Sequence, residues 1–269
     1  MAEVSLPRLT RILVASRIRA QLQYRASFAA DLFGQAMLIP LEFIEVYALL
    51  HAAPVFGGLT LNQATLLFGL SSLAFGLADM VFGQLDNVHR LIKEGRLEVL
   101  LTRPTPLLLQ LVTQDIQLRR LGRAGVGLAI YLWAIGACHV EPTVRNLALL
   151  VLAPLGGVLI HGAVFLFASA TLFFVLDGQQ AVNAFTYGGR YASGLPGAAL
   201  MTPVKIFFSY VVPATLIAYV PTVVLTGGTL PAFWWPGWAW LTVPLGLAMW
   251  AVMLGWWRLA IRHYTGAGG

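Results

Sequence analysis

Leu147-Ala148-Leu149-Leu150-Val151-Leu152-Ala153-Pro154-Leu155-Gly156-Gly157-Val158-Leu159-Ile160-His161-Gly162-Ala163-Val164-Phe165 opens an apolar stretch that runs to Leu176 without one Asp, Glu, Lys or Arg. A helix must carry roughly 20 mostly apolar residues to cross a bilayer, because lipid leaves every backbone polar group to be satisfied within the helix. The stretch 147 to 176 is too long for one straight crossing, so either Pro154 with Gly156 and Gly157 kinks it or its end beyond Ala170 projects past the hydrocarbon. Working outward, the same pattern recurs at residues 28 to 50, 64 to 83, 121 to 139, 206 to 225 and 239 to 257. The fold class that follows is an all-α integral membrane protein with six transmembrane helices.

Composition agrees. With 58% hydrophobic and 10% charged residues, a 269-residue chain has more apolar surface than one soluble core can bury. The net charge of +6 does not point to nucleic acid, since the basic residues sit between apolar stretches and not on a water-facing domain. Cys138 is the lone cysteine and no Cys or His cluster has metal-ligand spacing, so disulfide, redox and metal chemistry have no signature here.

Residues 1 to 27 carry Arg8, Arg11, Arg17, Arg19 and Arg25 among Leu6, Leu9, Ile12, Leu13 and Ile18, the spacing of an amphipathic helix lying in the membrane interface. An Arg-rich, acid-poor start also has the look of an organellar transit peptide, but it runs directly into the first span. The division is then an interfacial helix over 1 to 27, a six-helix bundle over 28 to 257 and a tail over 258 to 269. Sixteen of the seventeen Lys and Arg fall on one side of this arrangement, Arg190 and Lys205 of the connection 177 to 205 among them, and only Arg145 falls on the other. Positive residues near span ends are retained in the cytoplasm, so both termini are expected there. The opposite connections, 51 to 63, 140 to 146 and 226 to 238, are short, and the last is an aromatic belt around Trp234, Trp235 and Trp238.

The largest cytoplasmic element lies between spans 2 and 3, where Arg90 to Pro104 reads as short amphipathic helices. Gly95 suits a left-handed cap and Pro104 a stop. Ile92, Gly95, Leu97, Glu98, Leu101, Arg103 and Pro104 resemble the "I..G.LD..L.RP" block of the ABC-2 type permeases, in a subgroup long catalogued only as a domain of unknown function, with Glu98 at the position of the family's Asp. Pro196, Pro203, Pro213 and Pro221, with Tyr210 and Tyr219, resemble that subgroup's "yP..iyP…iiP…yyP" pattern. The resemblance implies a permease subunit of an ATP-binding cassette exporter in the cell's plasma (inner) membrane. It also implies a separate ATPase subunit as partner, a second permease copy or a related permease, and a cytoplasmic coupling helix in which Glu94, Gly95, Arg96, Leu97, Glu98, Leu101, Arg103 and Pro104 receive the ATPase. The residues bear on one part of this directly. A phosphate-binding loop needs Gly-Lys followed by Ser or Thr, and neither Lys93 nor Lys205 follows glycine, so ATP and Mg belong on the partner and this chain binds no cofactor of its own.

Span 1 carries Asp31, Glu42 and Glu45. At 100° per residue Asp31 and Glu42 lie about 20° apart around the axis, with Gln35 and Glu45 within about 40° of Asp31, forming one polar stripe. Carboxylates in a membrane are costly, so the stripe either faces a translocation path or bonds to neighbouring spans, with Asp31 at the headgroups. Pro213 and Pro221 break a hydrophobic span, as helices lining substrate paths do, or are kinks filled by neighbours. Asp79 reads as interfacial and His161 as a histidine bonded between helices. A secondary transporter or channel using these carboxylates is the nearer alternative. A membrane-embedded enzyme is the more distant one, because the chain has no His-Glu-x-x-His helix, no Gly-x-Ser-x-Gly elbow and no paired acids, and hence no catalytic or metal residue to name.

Overall fold

The computed structural model describes residues 6 to 52, 55 to 114, 117 to 175 and 177 to 264. Among them every regular element is a helix, and the only β-type pairing is an isolated bridge between Phe56 and Leu59. In chain order they are α1 (Leu6–Gln23), α2 (Arg25–Ala52), α3 (Leu61–Phe82), α4 (Val88–Lys93), α5 (Arg96–Leu101), α6 (Leu107–Gln114), α7 (Leu121–Ala137) and α8 (Val144–Thr171). There follow α9 (Gln179–Ser193), α10 (Thr202–Ile206), α11 (Ala214–Ile217), α12 (Tyr219–Leu225) and α13 (Thr242–Arg262).

Four segments are long and apolar enough to cross a membrane: Arg25–Ala48, Leu61–Lys93, Val144–Thr171 and Pro236–Arg262. A broken pair, Thr202–Val211 and Ala214–Leu225, bent by 67°, is a fifth candidate. The six expected spans thus become four or five by length and composition. The difference is α7, whose 17 residues reach only about 26 Å against a hydrocarbon layer of about 30 Å.

The centre of the bundle is α3, packed on α7 and α8. Glycines set the separation: a Cβ on Gly69 of α3 would stand 2.6 Å from the Tyr131 backbone nitrogen on α7, and one on Gly127 of α7 would stand 2.7 Å from the Leu73 nitrogen on α3. Small residues let helix backbones approach closely where lipid supplies no hydrophobic drive for association. The 28-residue α8, about 42 Å long, runs through Pro154 as one helix. Pro154 has no N–H to give the Leu150 carbonyl four residues back, and the Tyr131 hydroxyl donates to that carbonyl instead, at 3.1 Å. Helix α13 lies along α8, its Trp250 indole donating to the Leu159 carbonyl at 2.9 Å.

Two ends of the bundle can be told apart. At one, α3 begins where α7 finishes, the Asn62 amide donating to the Ala137 carbonyl at 3.1 Å, and α12 finishes there too, Gln63 donating to Thr226 at 3.1 Å. At the other, basic end, α1 and α4 to α6 gather beneath the start of α7. There the Leu118 amide donates to Gln21 at 2.9 Å, and Arg120 joins Asp79 across α7 and α3 at 2.5 Å with Arg123 at 3.6 Å.

One expectation is corrected. Residues 177 to 205 do not stay at the basic end. Asp177 is there, bonded to Lys93 at 2.6 Å, but α9 climbs through the bundle. By Pro196 the chain lies against Gly57, and Lys205 sits over the rings of Phe233 and Trp234 at 5.8 and 5.7 Å, both at the far end. From there α10 and its π-turn re-enter as far as Pro213, and α11 and α12 return to the far end. By length and composition the broken pair Thr202–Val211 and Ala214–Leu225 is the candidate fifth span, and it is preceded within the bundle by the buried face of α9. The polar content of α9 is the reason hydropathy passed it over.

Candidate functional site

Helix α9 owes its position to a buried face repeating at helical spacing: Val182, Thr186, Gly189, Arg190 and Ser193. This face lies among α2, α3, α8 and α11, and at its centre is Arg190, 6% exposed. The guanidinium donates to the Glu42 carboxylate of α2 at 2.5 Å and to the Ser72 hydroxyl of α3 at 3.1 Å. It also lies 5.7 Å from the ring centres of Phe68 and Phe75, so the aromatic faces take up the part of the cation that no acceptor reaches. One turn on, Ser193 and Ser71 share a hydrogen bond of 2.7 Å. Beside this pair a cavity of about 220 Å³ opens between α2 and α9, with Glu42, Glu45, Phe68, Arg190 and Tyr191 in its wall.

The acidic stripe of span 1 does not act as one surface. Glu42 is the member that points inward. Glu45, exposed, stands at the mouth of the same cavity, and Asp31 lies near the basic end, exposed, 3.8 Å from Arg119. Pro213 is the break itself: the Val212 amide bonds back five residues to Phe207 and the next helix starts at Ala214. Pro221 lies buried in the first turn of α12, and α11 ends at Ile217, four residues before it, so it marks a second, smaller interruption between α11 and α12. His161 is buried edge-on against Phe75, 5.2 Å between centroids, and its Nε2 has no hydrogen-bond partner among the described residues.

At the basic end, Gly95 holds φ +66°, the left-handed cap that separates α4 from α5, with nothing within 4 Å of the place where a Cβ would stand. The apolar residues Ile92, Leu97 and Leu100 are buried against Leu85, Val88, Leu107 and Leu111, which plugs the segment into the bundle. Of Leu97 and Leu101, expected to pack against the membrane domain or a partner, Leu97 is buried in the bundle and Leu101 is 40% exposed beside Val99 at 58% at the end of α5, where Leu100 occupies the inward place. Glu94, Arg96, Glu98, Arg103 and Pro104 all face outward, with Glu94 and Arg96 paired at 3.2 Å. The Lys93 ammonium, bonded to the exposed Asp177, holds that carboxyl below the usual carboxylate range and ties this segment to the foot of α9.

Arg190 was not legible as a site residue. Its signal was present in the helical spacing of Val182, Thr186, Arg190 and Ser193, and in Glu42 needing a cation.

The described residues thus form a helical bundle with candidate membrane spans and a charged, outward-facing segment plugged into one end. The family model described as "ABC-2 family transporter protein" matches residues 36–268, and the chain belongs to that family. It is a multi-pass membrane protein, the membrane component of a transporter. No curated protein and no solved structure matches the chain.

Proposed function

We propose that the chain is the permease subunit of an ATP-driven exporter in the plasma membrane, working with a separate ATPase and a second permease copy or related permease. The observation that carries this reading is the segment Glu94 to Pro104, whose apolar residues are sunk in the bundle while its charged residues face outward at one end. A plug of this kind transmits force: a partner that moves the charged face moves α3, α8 and α13, which share its buried cluster. On this reading the basic end is cytoplasmic, α1 lies in the interface, and the crossings are α2, α3, α7, α8, α9 with its re-entrant α10 to α12, and α13. The short α7 is accommodated by local thinning around it.

The Arg190–Glu42 pair speaks against a carboxylate-driven secondary transporter. Glu42 is held against Arg190 at 2.5 Å and Asp31 lies at the basic end beside Arg119 at 3.8 Å, so the carboxylates of α2 do not line one continuous path.

The test is charge reversal on the outward face. Glu94→Lys with Glu98→Lys should leave membrane insertion intact and weaken co-purification of the ATPase, or uncouple its ATP turnover from export in reconstituted vesicles, since interfacial charges set partner choice and orientation. Wild-type association, turnover and export would remove these charges from coupling. A chain that co-purifies with no ATPase at all would overturn the exporter reading.

A further inference from the structure

The cavity beside the Arg190–Glu42 pair lies deep between the ends of the spans. Ser72, which shares the guanidinium with Glu42, stands about 15 Å from either end of α3, half of a hydrocarbon layer of about 30 Å. At that level the wall carries one cation and two carboxylates, an excess of negative charge. Glu42 gives Oε2 to Arg190, while its Oε1 makes no hydrogen bond among the described residues, and its side chain, 31% exposed, lines the cavity. Glu45, exposed at the mouth, has neither a hydrogen bond nor an ion pair among the described residues. Carboxylates at this depth are costly without a counter-charge, and these two have one cation between them. The charge still to be matched is that of a cation entering from outside.

The rest of the wall selects its kind. A hard metal ion takes about six or more oxygens, whereas the other side chains here are Val46, Leu195 and the rings of Phe68 and Tyr191. Carboxylates beside aromatic rings suit an ammonium group, which the ring faces attract and which needs no cage of oxygens. Tyr191, 62% exposed, is the ring within a ligand's reach. The volume of about 220 Å³ is smaller than the roughly 300 to 1,000 Å³ of sites that enclose a whole ligand, so the cavity holds a charged end and leaves the body outside. One turn along α2 from Glu42 and Glu45, Leu38 and Leu41 are exposed to receive an apolar body. We propose that this cavity binds the charged end of an amphiphilic organic cation, an ammonium on an apolar or aromatic body, and that such cations are the substrate class of the transporter. The substrate role rests on the permease reading of the chain; the binding does not.

The full chain, purified in an uncharged detergent, is tested by equilibrium dialysis against benzyltrimethylammonium and against benzylsulfonate, which keeps the ring and reverses the charge. Protein-free micelles give the background. The cation should bind at about one equivalent and the sulfonate should not. Glu45→Gln should weaken the cation about tenfold with the melting temperature unchanged, the loss of one charge contact in a partly desolvated site. Tyr191→Leu should weaken it about threefold through loss of the ring face. Glu141→Gln, the same change of charge on the connection between α7 and α8, should leave it within about twofold. Equal weakening by Glu45→Gln and Glu141→Gln, or equal binding of the sulfonate, would overturn the site. Competition by short-chain phosphatidylcholine, which carries the same trimethylammonium group, would assign the cavity to a lipid headgroup and overturn the substrate. Unchanged cation binding in Glu45→Gln, with loss of a dimer, would assign this carboxylate to a second permease copy and overturn the ligand. Specific binding in a chain that co-purifies with no ATPase would uphold the site while removing the exporter; ATP-driven export that spares benzyltrimethylammonium would overturn the substrate class while the exporter stands.

Discussion

Removal of the Glu42 carboxylate leaves a guanidinium inside the bundle with one hydroxyl and two aromatic faces for company. Breaking a buried pair by deleting one member costs more than the pair contributes, because an uncompensated charge remains. The two partners differ in burial: the Arg190 side chain is 8% exposed and that of Glu42 31%. Glu42→Ala should therefore lower stability by about 3 kcal/mol, the lower end for a stranded buried charge. Arg190→Ala should cost less than that on the charge account, since Glu42 can reach the cavity at its side, and the double variant should cost clearly less than the two together. Thermal unfolding in detergent, followed by tryptophan fluorescence, reads all three. Strict additivity would mean that the two side chains do not act as a pair. Of this site the sequence disclosed Glu42 alone: the stripe spacing of α2 shows that a carboxylate must be satisfied, while its partner lies 148 positions away, a separation no periodicity encodes.

Where helices are held apart by nothing larger than hydrogen, a methyl group is a wedge. Gly69 and Gly127 make α3 and α7 approach until backbone meets backbone. Gly69→Val puts carbon into that contact with no side chain to yield, so it should destabilise the bundle by about 2 to 3 kcal/mol. Gly125→Val, on the outer side of α7 with nothing within 4 Å of its Cβ position, should change little. The contrast is read from the yields and melting temperatures of the two variants, and equal effects would show that helix propensity, not packing, decides. Elements differed in how plainly the sequence announced them. The break at Gly95 was legible because a left-handed cap has few substitutes for glycine. That Leu101 would lie outward while Leu100 turned in was not, because a six-residue helix has too few turns to define a face sharply. Helix α9 escaped for a different reason: its buried side is built of Thr, Gly, Arg and Ser, whose burial is licensed by hydrogen bonds and close packing that hydropathy does not score.

The asymmetry of Lys and Arg along the whole chain depends on where α9 goes. Counted as a connection, residues 177 to 205 add Arg190 and Lys205 to the basic end; threaded through the bundle, Arg190 is interior and Lys205 lies at the far end with Arg145. The bias that orients the molecule survives this change, because it is carried by α1, by the stretch from Arg90 to Arg123 and by Arg258 and Arg262. A single lysine at the far end is tolerable when its chain lies along aromatic rings and its ammonium reaches the headgroups. Single cysteines in a Cys138→Ser background then decide both matters. Arg90→Cys and Gly266→Cys should be protected from a membrane-impermeant maleimide in intact cells, whereas Met201→Cys, 75% exposed, should react together with Thr229→Cys. If Met201→Cys is protected while Thr229→Cys reacts, α9 does not cross and the fifth span begins near residue 206. If Gly266→Cys reacts and Thr229→Cys does not, the molecule is inverted, and the outward charges of Glu94 to Arg103 stand on the side of the membrane where no ATP is found.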